Sequence, residues 1–445
     1  MKTEVLLDHE PVADGGWVVR ALLKLEGDAL PVEGRIPLNL ALVLDRSGSM
    51  GGEPIERARE AARLVARRLW PEDTASVVAF GSRVETIVER HNGADRTEVL
   101  RRIGAIEIEG CTNLSGGWLK GRDHVAHGFK SAQVNRILLL TDGLANEGIT
   151  DPGQLTALCR AAAAQGITTT TIGFGVGYNE HLLAAMAEAG HGHTYYIETP
   201  DQAPSVFEEE IEGLLTLAAQ NVAVRLQAAP GVQFVAVHHA YPSHAERDAL
   251  AVELGDLYAR EPKLVLAEFL IPPAEEGATV EVARFVVNAY VLTAGGGIEM
   301  RTITLPITLS PMGEGRVEPE VRREWLVLGA ARARREALER RARGDDAGAS
   351  TILREAASHL AAAPAPFVDA ELREEASDLI ALSEQIDARG VSEADAKYLH
   401  QRAYDKMRSR KSSTTRISRT RAVDDEDLPT FAPPASPTPE DEVKR

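Results

Sequence analysis

Between Leu38 and Ile197, short apolar runs alternate with longer stretches whose apolar residues recur at helical spacing. A short apolar run bounded by turn residues suits a strand buried on both faces, whereas the longer period marks a helix with one buried side. The pattern predicts strands near 38–44, 74–80, 84–89, 135–140, 167–173 and 193–197. Helices are predicted near 54–69, 95–103, 114–126, 152–165, 179–189 and 201–217. Strands alternating with helices imply an α/β domain over residues 36–218, built on a doubly wound, mainly parallel sheet.

The flanks read differently. Residues 3–7 and 17–25 are β-like and separated by the hairpin signal Asp14-Gly15-Gly16. After residue 219 β-like runs return at 222–226, 232–237, 264–270, 280–291 and 299–308, with turns such as Ala229-Pro230-Gly231. These predict an antiparallel β-sandwich over 219–310. A lone hairpin is marginal in water, so residues 1–35 are expected to pair with that sandwich, which makes the α/β domain an insertion. From 320 to 408 the helical period resumes, with Gly344, Pro364 and Pro366 as punctuation, and a helical bundle is expected. Residues 409–445 are first basic and Ser/Thr-rich, then acidic and Pro-rich, which predicts a disordered tail. Its Ser412, Ser413, Thr414, Thr415, Ser418 and Thr420 lie beside arginines and could accept phosphate.

Composition narrows the function classes. A chain of 445 residues exceeds a single ordinary core, so two or three domains are expected. A net charge of −18 repels phosphate, which argues against nucleic acid and anionic membranes as partners. No apolar stretch approaches the ~20 residues of a membrane helix. Met1 to Asp14 carries Glu4, Asp8, Glu10 and Asp14 and does not read as a signal peptide. Cys111 and Cys159 are the only cysteines, which suits a reducing compartment, and a cytoplasmic location is expected.

The candidate chemistry lies where strands end. Asp45-Arg46-Ser47-Gly48-Ser49 follows the run Leu38–Leu44, and Thr141-Asp142-Gly143 follows Asn135–Leu140. Between them, Gly110-Cys111-Thr112-Asn113-Leu114-Ser115-Gly116-Gly117 offers a hydroxyl among small residues. Hydroxyls with one or two carboxylates are hard oxygen donors that suit Mg²⁺. In doubly wound sheets ligands bind beyond the carboxyl ends of strands at a switch in strand order, where Asp45 and Asp142 are expected.

The set Asp45, Ser47, Ser49, Thr112 and Asp142 resembles the metal-ion-dependent adhesion site of von Willebrand factor type A domains. The segments Ile172–Asn179, Glu188-Ala189-Gly190 and Tyr195-Tyr196-Ile197 are similar to bacterial members of that family, so the likeness covers roughly residues 36–218. It implies that Ser47, Ser49 and sometimes Thr112 touch a divalent ion, Mg²⁺ or else Mn²⁺ or Ca²⁺. Asp45 and Asp142 would act through waters or through hydrogen bonds to the serines. An Asp or Glu from a protein partner would fill the open sixth position. Insertion of such a domain in a β-sandwich is also known in the family. The function implied is a non-enzymatic, metal-dependent protein–protein interaction. An adaptor or co-chaperone role for a MoxR-type AAA+ ATPase, and a phosphorylation-controlled scaffold, are the alternatives.

Competing readings are weaker. Asp45 and Ser47 could simply cap a helix. Cys111 stands where the family often has Gly and is expected to be a small filler, while Arg46 is expected to point to solvent with little effect. His124 with His127, and His191 with His193, lack the three or four ligands of a zinc site. Gly173–Gly177 lacks the endings of a phosphate loop or dinucleotide fingerprint. No nucleophile–base pair or second metal motif supports catalysis.

Overall fold

Strands β3 (Leu38–Asp45) and β6 (Val134–Thr141) are buried along their entire length, with Asn39, Asn135 and Arg136 buried within otherwise mainly apolar runs. With β4 (Thr74–Phe80), β5 (Val84–His91), β7 (Ile167–Phe174) and β8 (His191–Ile197) they form a six-stranded sheet in the order β5-β4-β3-β6-β7-β8. All pairings are parallel except that of β5 with β4. Side-chain alternation divides β3 between two layers. Leu38, Leu40, Leu42 and Leu44 pack with α1 (Glu53–Arg68), α2 (Arg96–Gly104) and α6 (Ala203–Leu215). Ala41 and Val43 pack with α3 (Leu114–His127), α4 (Pro152–Ala163) and α5 (Glu180–Ala189). Gly121 lets α3 approach closely, because a Cβ there would lie 2.4 Å from Cγ2 of Val43. Strand order reverses direction between β3 and β6, so the loops after them diverge and leave a crevice at the carboxyl edge.

The computed structural model describes residues 1–13, 15–28, 36–92, 96–175, 177–259, 261–274, 278–293, 297–310, 315–364, 367–389 and 391–409. These belong to one compact unit, Met1–Ser412. The tail from residue 410, with the six hydroxyls singled out above, lies outside the described residues. Among the described residues no helix is long and apolar enough to cross a membrane.

Two further sheets flank a second core. One has the order β1-β2-β13-β10, made of Lys2–Pro11, Trp17–Glu26, Lys263–Ile271 and Gln233–Val237. The other runs β11-β12-β9-β14-β15, from Ser243–Ala245, Leu250–Tyr258, Leu217–Ala228, Val280–Leu292 and Ile298–Leu309. Every pairing is antiparallel, and β2 pairs with β13 from Trp17 opposite Ile271 to Leu25 opposite Lys263. Strands before and after the α/β domain therefore share a sheet. Val19, Leu23, Phe269, Val224, Leu254 and Phe285 meet between the two sheets.

Helices α7 (Pro319–Ala342), α8 (Asp346–Ala362), α9 (Ala370–Arg389) and α10 (Glu393–Met407) do not stand apart as a bundle. Val321, Leu328 and Ala331 of α7 pack with Leu22 of β2, Leu266 of β13 and Met407 of α10, covering the outer face of the first sheet. Leu326, Val327, Ala330 and Ala337 face α8 and α9 instead. Burial on more than one side explains why α7 lacks a single apolar stripe.

The α/β domain is joined to the sandwich by a buried charge cluster. Arg136 of β6 is fully buried and donates to Glu210 of α6 at 3.0 Å, to Asp256 of β12 and to Thr170 of β7 at 2.9 Å. Tyr195 also donates to Glu210, at 2.8 Å, and His193 Nδ1 lies 3.2 Å from it. Burial alone would raise the Glu210 pKa, but the hydrogen bond and charge of His193, with the charge of Arg136, hold it well below the usual carboxylate range.

Candidate metal centre

Asp45 ends β3 at the crevice and is fully buried. One carboxylate oxygen accepts from the Ser47 amide at 2.7 Å and the other from the Thr141 hydroxyl. Burial pushes its carboxyl up to about 6, against the lowering effect of the Ser47 and Thr141 hydrogen bonds and with a further rise from Asp142. Ser47 begins a short 3₁₀ turn, Gly48–Met50, but its side chain makes no capping hydrogen bond, so the helix-cap reading fails. Its hydroxyl instead lies 3.2 Å from that of Ser49. Ser49 donates to Asp142 at 2.7 Å, and burial raises the Asp142 carboxyl as well.

Thr112 arrives from the opposite loop, just before α3. Its amide donates to the Asn146 side chain at 2.8 Å and its carbonyl accepts from the Asn146 amide at 3.2 Å. A Cβ on Gly143 would lie 3.1 Å from the Thr112 hydroxyl and 3.7 Å from that of Ser49. Both hydroxyls thus border the space that this glycine leaves open. The Gly48 amide ties the first loop to the Gly110 carbonyl at 3.0 Å. All five residues singled out in the sequence therefore converge at the β3/β6 switch point.

The donor chemistry fits a divalent cation. Two carboxylates are driven toward neutrality by burial beside three hydroxyls, and a cation among them would supply the missing positive charge. Among the described residues no group of three or more His, Cys, Asp or Glu is placed to hold a metal. A site of two carboxylates and three hydroxyls is of another kind. Gly143→Ala should place a methyl group in the open space and weaken Mn²⁺ binding by about tenfold with little change in thermal midpoint, as titration followed by electron paramagnetic resonance would show.

Thr141 and Asn146 were not among the expected residues. Thr141 was legible as the residue before Asp142, but nothing local shows that its hydroxyl turns to Asp45. Asn146 acts through the backbone of a residue 34 positions away, which sequence spacing does not reveal.

The expectation for Arg46 is corrected. Its side chain is buried, with the guanidinium 2.6 Å from Glu109 and 3.1 Å from Glu85. Its backbone explains this. The amide donates to Phe80 and the carbonyl accepts from Glu109, which seats the residue between neighbouring segments and turns it away from solvent. Cys111 is an exposed free thiol, its amide bonded to Ser82. The histidines have other partners: His124 with Thr86, His127 with the Asp123 carbonyl, His191 with Asn221 and Glu253, and His193 with Glu210.

Residues 39–209 match the family model of the von Willebrand factor type A domain, and this part of the chain is a domain of that class. An uncharacterized protein of Synechocystis sp., sll0103, is 29% identical over 334 residues, covering 73% of this chain and 78% of its own length. The uncharacterized Escherichia coli protein YfbK is 29% identical over 194 residues, 43% of this chain, and the match spans only 34% of that protein. A von Willebrand factor type A structure from Catenulispora acidiphila superposes with a TM-score of 0.70 at 18% identity. It covers 92% of this chain and 97% of its own, a likeness of fold that extends through the sandwich and helices.

Proposed function

We propose that the chain is a non-enzymatic interaction protein that binds a partner's Asp or Glu side chain through a divalent cation, with Mg²⁺ as the expected ion. The observation that carries this reading is the meeting of Ser47, Ser49, Thr112 and the Ser49–Asp142 hydrogen bond at the β3/β6 switch. The hydroxyls of Ser47, Ser49 and Thr112 would hold the ion, and Asp45 and Asp142 would fix those donors and balance its charge. Neutral hydroxyl ligation leaves the ion electrophilic toward an incoming carboxylate. The serines would serve as ligands, with no turnover expected.

Immobilised full-length chain in Mg²⁺ should retain a partner that EDTA releases and that an Asp45→Ala chain does not capture. Equal capture in EDTA and by the variant would refute the reading. Neither the site nor the relatives favour the ATPase-adaptor or scaffold alternatives over direct capture.

A further inference from the structure

We infer that Lys397 of α10, far outside the α/β domain in sequence, positions the loop against Asp142 and so sets the affinity of the metal site. The inference rests on the metal-binding reading above.

Lysine is seldom fully buried, yet the Lys397 side chain is 2% exposed. Its ammonium donates to the Tyr178 carbonyl at 2.6 Å, lies 3.2 Å from a Glu180 carboxylate oxygen and sits 4.2 Å from the centre of the Tyr178 ring. Three features of one short segment, the stretch that leads into α5, are thus gripped by one side chain of another part of the chain. Tyr178 cannot move independently of the sheet. A Cβ on Gly173 of β7 would lie 2.2 Å from its ring, so the ring occupies the room that this glycine leaves. The Tyr196 ring of β8 is 6.2 Å away. The residue before it, Gly177, has its Cβ position 3.1 Å from the Asp142 carbonyl.

A path therefore runs from Lys397 through Tyr178 to Gly177, where an added Cβ would press on the Asp142 carbonyl, and the Asp142 carboxylate in turn holds Ser49. Beside Lys397, a cavity of about 170 Å³ lined by His181, His400 and Tyr404 separates part of α10 from α5. Across it the His400 ring stands edge-on to that of His181 of α5, 5.5 Å between centres, and the Gln401 amide donates to the Thr194 carbonyl of β8 at 3.0 Å. Lys397 is a positioning residue, acting on the ion only through Asp142.

The test compares Mn²⁺ dissociation constants, read by electron paramagnetic resonance, for the full-length wild type, Lys397→Met, Lys397→Arg and Gly177→Ala. Urea midpoints and amide hydrogen exchange of the metal-free proteins are measured alongside. Partners of direct ligands typically change metal affinity by 10–100-fold, and a residue that acts on such a partner only through an intervening segment should change it by about threefold to tenfold. Lys397→Met should weaken Mn²⁺ binding by that factor and speed exchange at Gly177 and Tyr178, and Lys397→Arg should recover part of both. A purely structural lysine would lower the urea midpoint and leave the dissociation constant of the folded protein unchanged, which would overturn the inference. If Lys397→Met does not fold, Gly177→Ala decides, since its methyl group presses on Asp142 without touching α10; unchanged affinity there overturns the inference. Should the wild type bind no Mn²⁺, the metal reading falls, and amide exchange still decides whether Lys397 holds this loop.

Discussion

Asp142→Ala should lower Mn²⁺ affinity by about 100-fold, the upper end of the effect seen when a residue that orients metal ligands is lost. It removes the acceptor of Ser49 and one of the two negative charges that would balance the ion. The fold should not suffer. Burial already disfavours the ionised carboxylate of Asp142, so the urea midpoint should stay within experimental error of wild type or rise. Asp45→Ala is a less clean probe, because it strands the buried Thr141 hydroxyl and the Ser47 amide, each at a cost of about 1–3 kcal/mol. An Asp142→Ala chain that binds Mn²⁺ as tightly as wild type would leave the site without a function.

The second large effect concerns stability. Arg136→Met keeps the length of the side chain but leaves Glu210 and Asp256 buried without their shared cation, and breaking such a cluster typically costs about 3–5 kcal/mol. The loss should depend on pH with a definite sign. In the wild type Glu210 has a folded pKa below its unfolded value near 4.3, so its contribution is full above that value and is lost as acid protonates it. In the variant the Asp256 carboxyl, already raised by burial in the wild type, loses the lowering charge of Arg136 and should take up a proton on folding, while Glu210 keeps the hydrogen bond and charge of His193. The variant's stability should therefore rise as pH falls from 7.5 toward 5, narrowing the gap to wild type. Urea unfolding at the two pH values would reveal the trend, and a gap that widens on acidification would contradict this account of the cluster.

The sequence showed the α/β domain well because its central strands are wholly buried and so appear as mainly apolar runs between helical patterns. Strand β12 escaped notice for the opposite reason. Leu250–Tyr258 contains Glu253, Gly255 and Asp256, which break any β-like pattern. Glu253 bonds to His191 of the α/β domain, and Asp256 is turned inward to Arg136. The strand is polar where it meets a partner that lies far off in sequence. The five residues that meet at the β3/β6 switch were legible because hydroxyls and carboxylates close after strands have a chemical meaning of their own. Thr141 and Asn146 were not, since each acts on a residue that only the folded chain brings near. The burial of Arg46 was missed on the same ground, as Glu85 and Glu109 are distant in sequence.

Strand β9 starts at Leu217, with only Thr216 between it and the end of α6 at Leu215. There is no slack at that exit. A pull on the sandwich would pass straight into the helix that carries Glu210, so the α/β domain cannot swing on a leash at this end. A ligand held at the opposite rim would meet a surface whose heading is fixed by the body that bears it.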